Sequence, residues 1–203
     1  MPKAEGFASS TWNILGKNRW SLASAGFVSD DVYATANLED SVVGYGDFDN
    51  LDAKIPADVV INKVEVCLEF YITSNNQFIK VAISTDGGAN YSDWSIGLDI
   101  REEDLIFLNV TGYKSDWLPS FLSNDNLKVK LLYGFGGGSG CPEKHAWTAY
   151  LDAVSVLASY SGFKDKGVAG NFHYRSGNWW YEDFPCVDCV KSRFGEYWMR
   201  KKR

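Results

Sequence analysis

Histidine is scarce in this 203-residue chain, which has two, and cysteine numbers only four. His145 and His173 are the only imidazoles, and neither lies in a Gly-x-Ser-x-Gly or His-Glu-x-x-His setting. No P-loop is present, and no Gly-x-Gly-x-x-Gly opens a helix. The 26 acidic residues make some carboxylate pair unavoidable by chance, so acids alone do not imply a glycosidase. These gaps predict a non-enzymatic protein. No stretch approaches the roughly 18 consecutive apolar residues of a membrane span, so no membrane partner is expected. The opening MPKAEGFASSTWNI lacks the apolar core of a signal peptide, which predicts synthesis in the cytoplasm and any export outside the Sec route. Long charge runs and low-complexity tracts are also missing through most of the length. With 45% hydrophobic and 15% aromatic residues, the chain has enough apolar material to fold.

Charge is unevenly placed. The net charge is −6, yet residues 162–203 hold nine Lys/Arg against five Asp/Glu, a surplus of four positive charges that leaves −10 on residues 1–161. An acidic body argues against sequence-independent nucleic-acid binding, which depends on neutralising phosphates. A basic end on an acidic body suggests docking on an acidic neighbour. Two segments are therefore expected: a folded domain over 1–161 and a C-terminal arm over 162–203.

From about Tyr33 to Tyr160 the pattern is short alternating strands punctuated by Gly, Asn, Asp and Pro, without a ten-residue helical period. In Val60–Ile72, Val64, Val66, Leu68, Phe70 and Ile72 share one face, predicted to be core. Lys63, Glu65, Cys67, Glu69 and Tyr71 share the other, predicted to be wet. Phe78–Thr85 repeats the pattern and runs into Asp86-Gly87-Gly88-Ala89-Asn90, whose glycines suit a tight reversal. These two strands are expected to pair as a hairpin or as sheet neighbours. Further strands are expected at Leu105–Val110, Leu127–Tyr133 and Ala146–Tyr160, with one helical turn between Trp117 and Asn124. The fold class is all-β, an antiparallel two-sheet jelly-roll-type sandwich with an irregular C-terminal extension.

The order of "DDVYATANL" (Asp30–Leu38), "NLDAKIPADVVINKVEV" (Asn50–Val66), "VAISTDGGANYS" (Val81–Ser92) and "AYLDAVSVLASY" (Ala149–Tyr160) resembles the galactose-binding-like β-sandwich domains of bacteriophage and archaeal-virus virion proteins, also present in secreted carbohydrate-binding proteins. Ile55-Pro56 matches the start of the central sheet in that family, and Asp152-Ala153-Val154-Ser155-Val156 matches its last strand. The resemblance spans roughly residues 12–161 and implies a sandwich rather than a particular ligand.

Cys186-Val187-Asp188-Cys189 is the sharpest local motif, since two thiolates two residues apart can grip one tetrahedral zinc. Cys141 and His145, or alternatively His173, would complete a structural zinc site that clasps the arm. Four reduced thiols, or a disulfide or redox pair, are the competing readings. Asp30 and Asp31 precede the first core strand and Asp152 begins the last, where a calcium site is one reading. The other has Asp152 hydrogen-bonding backbone amides. The glycine-rich Gly134–Gly140 lacks the Lys-Ser/Thr of a phosphate loop and reads as a flexible connection. Trp12, Trp20, Tyr91, Trp94, Tyr113 and Trp117 lie in or beside loops, with core or sheet-capping roles expected for Trp12, Trp94 and Trp117.

The arm is too aromatic to be a solvated tail. Trp179, Trp180, Tyr181, Tyr197 and Trp198, with Arg200, Lys201, Lys202 and Arg203, form its predicted partner-binding set. These features together predict a virion structural protein, such as a head decoration, head-tail or tail component. It would be made in the host cytoplasm and would bind other virion proteins and copies of itself. The alternative is a carbohydrate-binding module or receptor-binding part that uses loop aromatics.

Overall fold

The computed structural model describes residues 1–13, 19–74, 76–135, 147–163, 172–175 and 178–181. The chain divides into two compact units, residues 1–163 and 164–203. Within the first lie β1 (Lys3–Phe7), β2 (Ser10–Asn13), β3 (Ala34–Ala36), β4 (Ser41–Gly46), β5 (Val59–Ile72), β6 (Gln77–Ser84), β7 (Asp104–Asn109), β8 (Lys128–Phe135) and β9 (Ala149–Phe163). In the second, β10 (Phe172–Arg175) and β11 (Asn178–Tyr181) pair antiparallel, so part of the segment expected to be irregular is a hairpin.

Two antiparallel sheets make up the first unit. One has the order β1-β9-β5-β7 with β3 also on β9, and the other has the order β2-β4-β8-β6. From β3 to β9 each successive strand changes sheet, which is jelly-roll connectivity. The unit is a jelly-roll-type β-sandwich. The helical turn expected between Trp117 and Asn124 is a 3-10 turn at Pro119–Leu122, with proline in its first turn.

The apolar alternation of β5 fills the space between the sheets. Val64, Val66, Leu68, Phe70 and Ile72 are buried there, facing Ile79, Val81 and Ile83 of β6 and Val129, Leu131 and Tyr133 of β8. Burying each such side chain contributes about 1.5–3 kcal/mol, so β5 is a principal source of cohesion.

Two expectations about β5 are corrected. It does not pair with β6: β5 lies between β9 and β7, and β6 is bonded to β8 in the opposite sheet. The link between them stays tied to the first sheet, because Thr73 N–H donates to Thr148 O at 3.2 Å and Thr148 N–H donates to Thr73 Oγ1 at 2.9 Å. The chain then arches across the core, and the apolar faces of the two strands meet from opposite sides. The polar face of β5 is also less wet than its parity implied. Cys67 is 1% exposed and Glu65 7%, because β5 is an interior strand with Phe107 of β7 and Ser155 of β9 in register on either side of Cys67.

The far edge of β6 is closed by the segment that follows it. Ser92 and Ser95 donate their backbone N–H groups to Ile83 O and Val81 O, both at 2.8 Å. Their hydroxyls in turn accept from Ile83 N at 3.1 Å and Val81 N at 2.9 Å. Each edge residue thus has both backbone groups satisfied without a regular strand beside it.

Candidate functional site

The outer face of the second sheet follows from two period-2 patterns. Val43 and Tyr45 of β4 point into the core, which turns Gly44 and Gly46 outward. Val129 and Leu131 of β8 point inward, which turns Lys128 and Lys130 out beside those glycines. Register sets Trp12 of β2, Gly44, Lys130 and Ala82 of β6 in one row across the sheet, and Ser10, Gly46, Lys128 and Ser84 in the next. Side chains from neighbouring strands lie over the glycine floor. A Cβ on Gly44 would meet the Trp12 indole, and one on Gly46 would lie 3.0 Å from Lys128 Cδ and Nζ.

The two outward lysines of β8 differ in their partners. Lys128 Nζ donates to Asn124 O at 2.7 Å, lies 3.5 Å from Asp47 Oδ1 and is 5.9 Å from the Trp12 ring. Lys130 Nζ sits 3.4 Å from the centroid of the Tyr91 ring and, among the described residues, has no carboxylate partner. Burial lowers the Lys130 pKa and pushes the Tyr91 phenol up to about 12. Flat aromatics and hydrogen-bond donors laid over a glycine floor are the elements of a surface that holds a ring-shaped polar ligand.

A second constellation lies on the first sheet. In β9, Asp152 occupies a register shift between the pairs Glu69–Ala153 and Phe70–Leu151, and such a bulge re-aims a side chain. Its buried carboxylate accepts from Asp30 N at 3.2 Å and Asp31 N at 3.3 Å. Asp31 has φ 61°, a left-handed conformation that aspartate tolerates. Asp31, Glu103 and Asp152 each bring a carboxylate oxygen within 4.8 Å of the others. Glu103 Oε2 also accepts from Tyr33 Oη at 2.8 Å, a bond that raises the Tyr33 pKa. Tyr33 stands edge-on to the stacked pair Tyr71 and Tyr150, whose centroids are 4.7 Å apart. An all-oxygen donor set of this kind suits a hard cation such as calcium. The amide bonds to Asp152, expected as the structural alternative, are present.

Cys141, His145, Cys186 and Cys189, the expected zinc ligands, lie outside the described residues, as do Tyr197, Trp198, Arg200, Lys201, Lys202 and Arg203. For His173, Trp179, Trp180 and Tyr181 only the backbone is described, in the β10–β11 hairpin, where His173 is opposite Trp180 and Tyr181 is opposite Phe172. Cys67 is a buried free thiol, which burial pushes up to about 11. Trp20 and Trp117 are core residues, donating Nε1–H to Ser41 O at 3.2 Å and Thr111 O at 2.8 Å. Trp94 departs from expectation at 41% exposed. Sequence reading missed Lys128, Lys130, Gly44 and Gly46. Their signal was the two-residue spacing within each pair.

No family model and no curated protein matches this chain. Among solved structures it is similar to a family two carbohydrate esterase from Cellvibrio japonicus, at 13% identity and a TM-score of 0.36, over 80% of this chain and 35% of that one. It is also similar to TmCBM61 in complex with beta-1,4-galactotriose, at 12% identity and TM-score 0.35, over 76% of this chain and 87% of that one. A chain of the T13 IBDV viral particle matches at 10% identity and TM-score 0.35, over 77% of this chain and 30% of its own length. The chain thus spans about a third of the esterase and of the viral protein. The fold assignment rests on the strand order above.

Proposed function

We propose that this protein is a non-enzymatic recognition module that binds a saccharide across the outer face of its second sheet. The observation that carries this reading is the row Trp12–Gly44–Lys130 with Tyr91 against the Lys130 ammonium. Trp12 offers an indole face to the C–H face of a sugar ring, while Lys128 and Lys130 offer N–H donors to its hydroxyls. In a virion such a module would be a receptor-binding part. Titration of the full chain against a panel of soluble polysaccharides tests the reading. Trp12→Ala is expected to abolish binding while leaving the far-ultraviolet circular dichroism unchanged. Binding that survives Trp12→Ala would place the ligand elsewhere.

A second reading, a head, neck or tail structural component, is favoured by β7. This strand ends the first sheet and exposes Leu105 at 45% and Phe107 at 50%, an apolar pair suited to a protein neighbour. The basic, aromatic arm over 162–203 would then dock on the acidic body of another copy. Removing residues 164–203, or replacing Leu105 and Phe107 by Lys, is expected to leave the sandwich folded and to prevent self-association in analytical ultracentrifugation. Undiminished association of both variants would eliminate this reading.

A further inference from the structure

We infer that the saccharide held on the second sheet is acidic, a uronic-acid-containing glycan, and that Lys130 reads its carboxylate. The inference rests on the recognition reading above and specifies its substrate class. Lys128 is already engaged by Asn124 O and by Asp47, so its ammonium has partners before any ligand arrives. Lys130 differs. The residue is half-buried, its Nζ lies 3.4 Å from the centroid of the Tyr91 ring, and among the described residues it makes no salt bridge. The ring face offsets part of the cost of withdrawing a cation from water but offers neither a counter-charge nor a full hydrogen-bond acceptor. A carboxylate supplies both, whereas a neutral hydroxyl supplies an acceptor alone.

Geometry and the surrounding charge narrow the ligand further. Trp12 is in β2 and Lys130 in β8, two strand spacings or about 10 Å apart, so a saccharide chain running across the strands can stack on Trp12 and still reach Lys130. Asp47 beside Lys128 and Asp86 within electrostatic reach of Tyr91 keep the face from being strongly positive. A sulfated polymer or a nucleic acid needs several unpaired cations in a row. One unpaired lysine matches one carboxylate per bound sugar.

Polygalacturonate, its methyl ester and neutral galactan, titrated calorimetrically into the full chain, test the inference. The wild type is expected to bind polygalacturonate about tenfold more tightly than the methyl ester, the change that loss of one charge-assisted hydrogen bond produces. Lys130→Met should weaken binding of all three polymers but erase the preference of acid over ester, and Lys130→Arg should retain that preference. Equal affinity of the wild type for acid and ester, or a preference that persists in Lys130→Met, overturns the inference and leaves the saccharide reading in place. Failure of all three polymers to bind overturns both. Should Lys130→Met not fold, the wild-type and Lys130→Arg comparisons of acid with ester decide the question.

Discussion

Gly44→Ala adds a single methyl group at the centre of the proposed recognition face, and its effect can be worked out from the packing there. Gly44 does not have a positive φ, so alanine is permitted by the backbone and only space is at issue. The new Cβ would lie 2.6 Å from Trp12 Nε1 and closer still to two carbons of the ring. Carbon atoms settle at about 3.5–4.0 Å from their neighbours, so the indole has to move by about 1 Å or more. Forcing an extra methyl group into a packed site costs about 1–3 kcal/mol, which in a domain of this size lowers Tm by about 2–12 °C. The diagnostic experiment is a double-mutant cycle with Trp12→Ala, read by thermal unfolding and by saccharide titration. The three nearest atoms to that methyl group all belong to the indole, so Gly44→Ala should cost much less in the Trp12→Ala background, giving a coupling of about 1–3 kcal/mol. In the wild-type background it should also weaken saccharide binding, because the indole is displaced from its place over Gly44. An equal cost in both backgrounds would refute the packing argument, and unaltered binding by a destabilised Gly44→Ala would refute the role of this face.

Tyr133 buries its hydroxyl without a partner among the described residues. Tyr133→Phe is therefore expected to hold stability level or raise it by up to about 1–3 kcal/mol in denaturant unfolding, and a clear loss would reveal a bonded hydroxyl. Asp152→Ala strips the amides of Asp30 and Asp31 of their acceptor, so a destabilisation of about 1–3 kcal/mol and faster hydrogen exchange at those two amides are expected. Asp86 is lowered to about 2 by the backbone amide of Asn90, then by the Asn90 side chain and Ser84. With its folded pKa depressed, its contribution is complete above the ordinary carboxylate range and is lost as pH falls through about 2. NMR titration should show that midpoint, moving upward in Asn90→Ala.

The sandwich was legible in the sequence because β5 states its inner face without ambiguity: Val64, Val66, Leu68, Phe70 and Ile72 are each two residues apart and all are core. The partner of β5 was not legible. Two amphipathic strands have the same alternation whether they share a sheet or face each other across a core, and the second arrangement is held by long-range contacts such as the ties of Thr73 to Thr148. Parity also missed the burial of Cys67, because the water seen by an outward residue depends on the side chains of adjacent strands. The Asp30, Asp31 and Asp152 grouping was visible from the neighbouring positions of first and last strands in such folds. Glu103, some fifty residues from Asp152 in sequence, had no local signal. Trp12 was noted as a loop aromatic, but the glycine floor that gives it a purpose emerges only when the register of β2, β4 and β8 is known.

Ser92 and Ser95 have a consequence for how copies of this molecule can gather. Their hydroxyls and amides complete the border of the second sheet from within the same chain, so an incoming strand finds no open ladder beside β6. The second sheet is finished on that side in every copy and cannot serve there as a template for fibrous growth. Any array built from these molecules has to be joined by side-chain contacts or along other borders, so its geometry is set by surface chemistry that mutation can adjust without reopening the β6 edge.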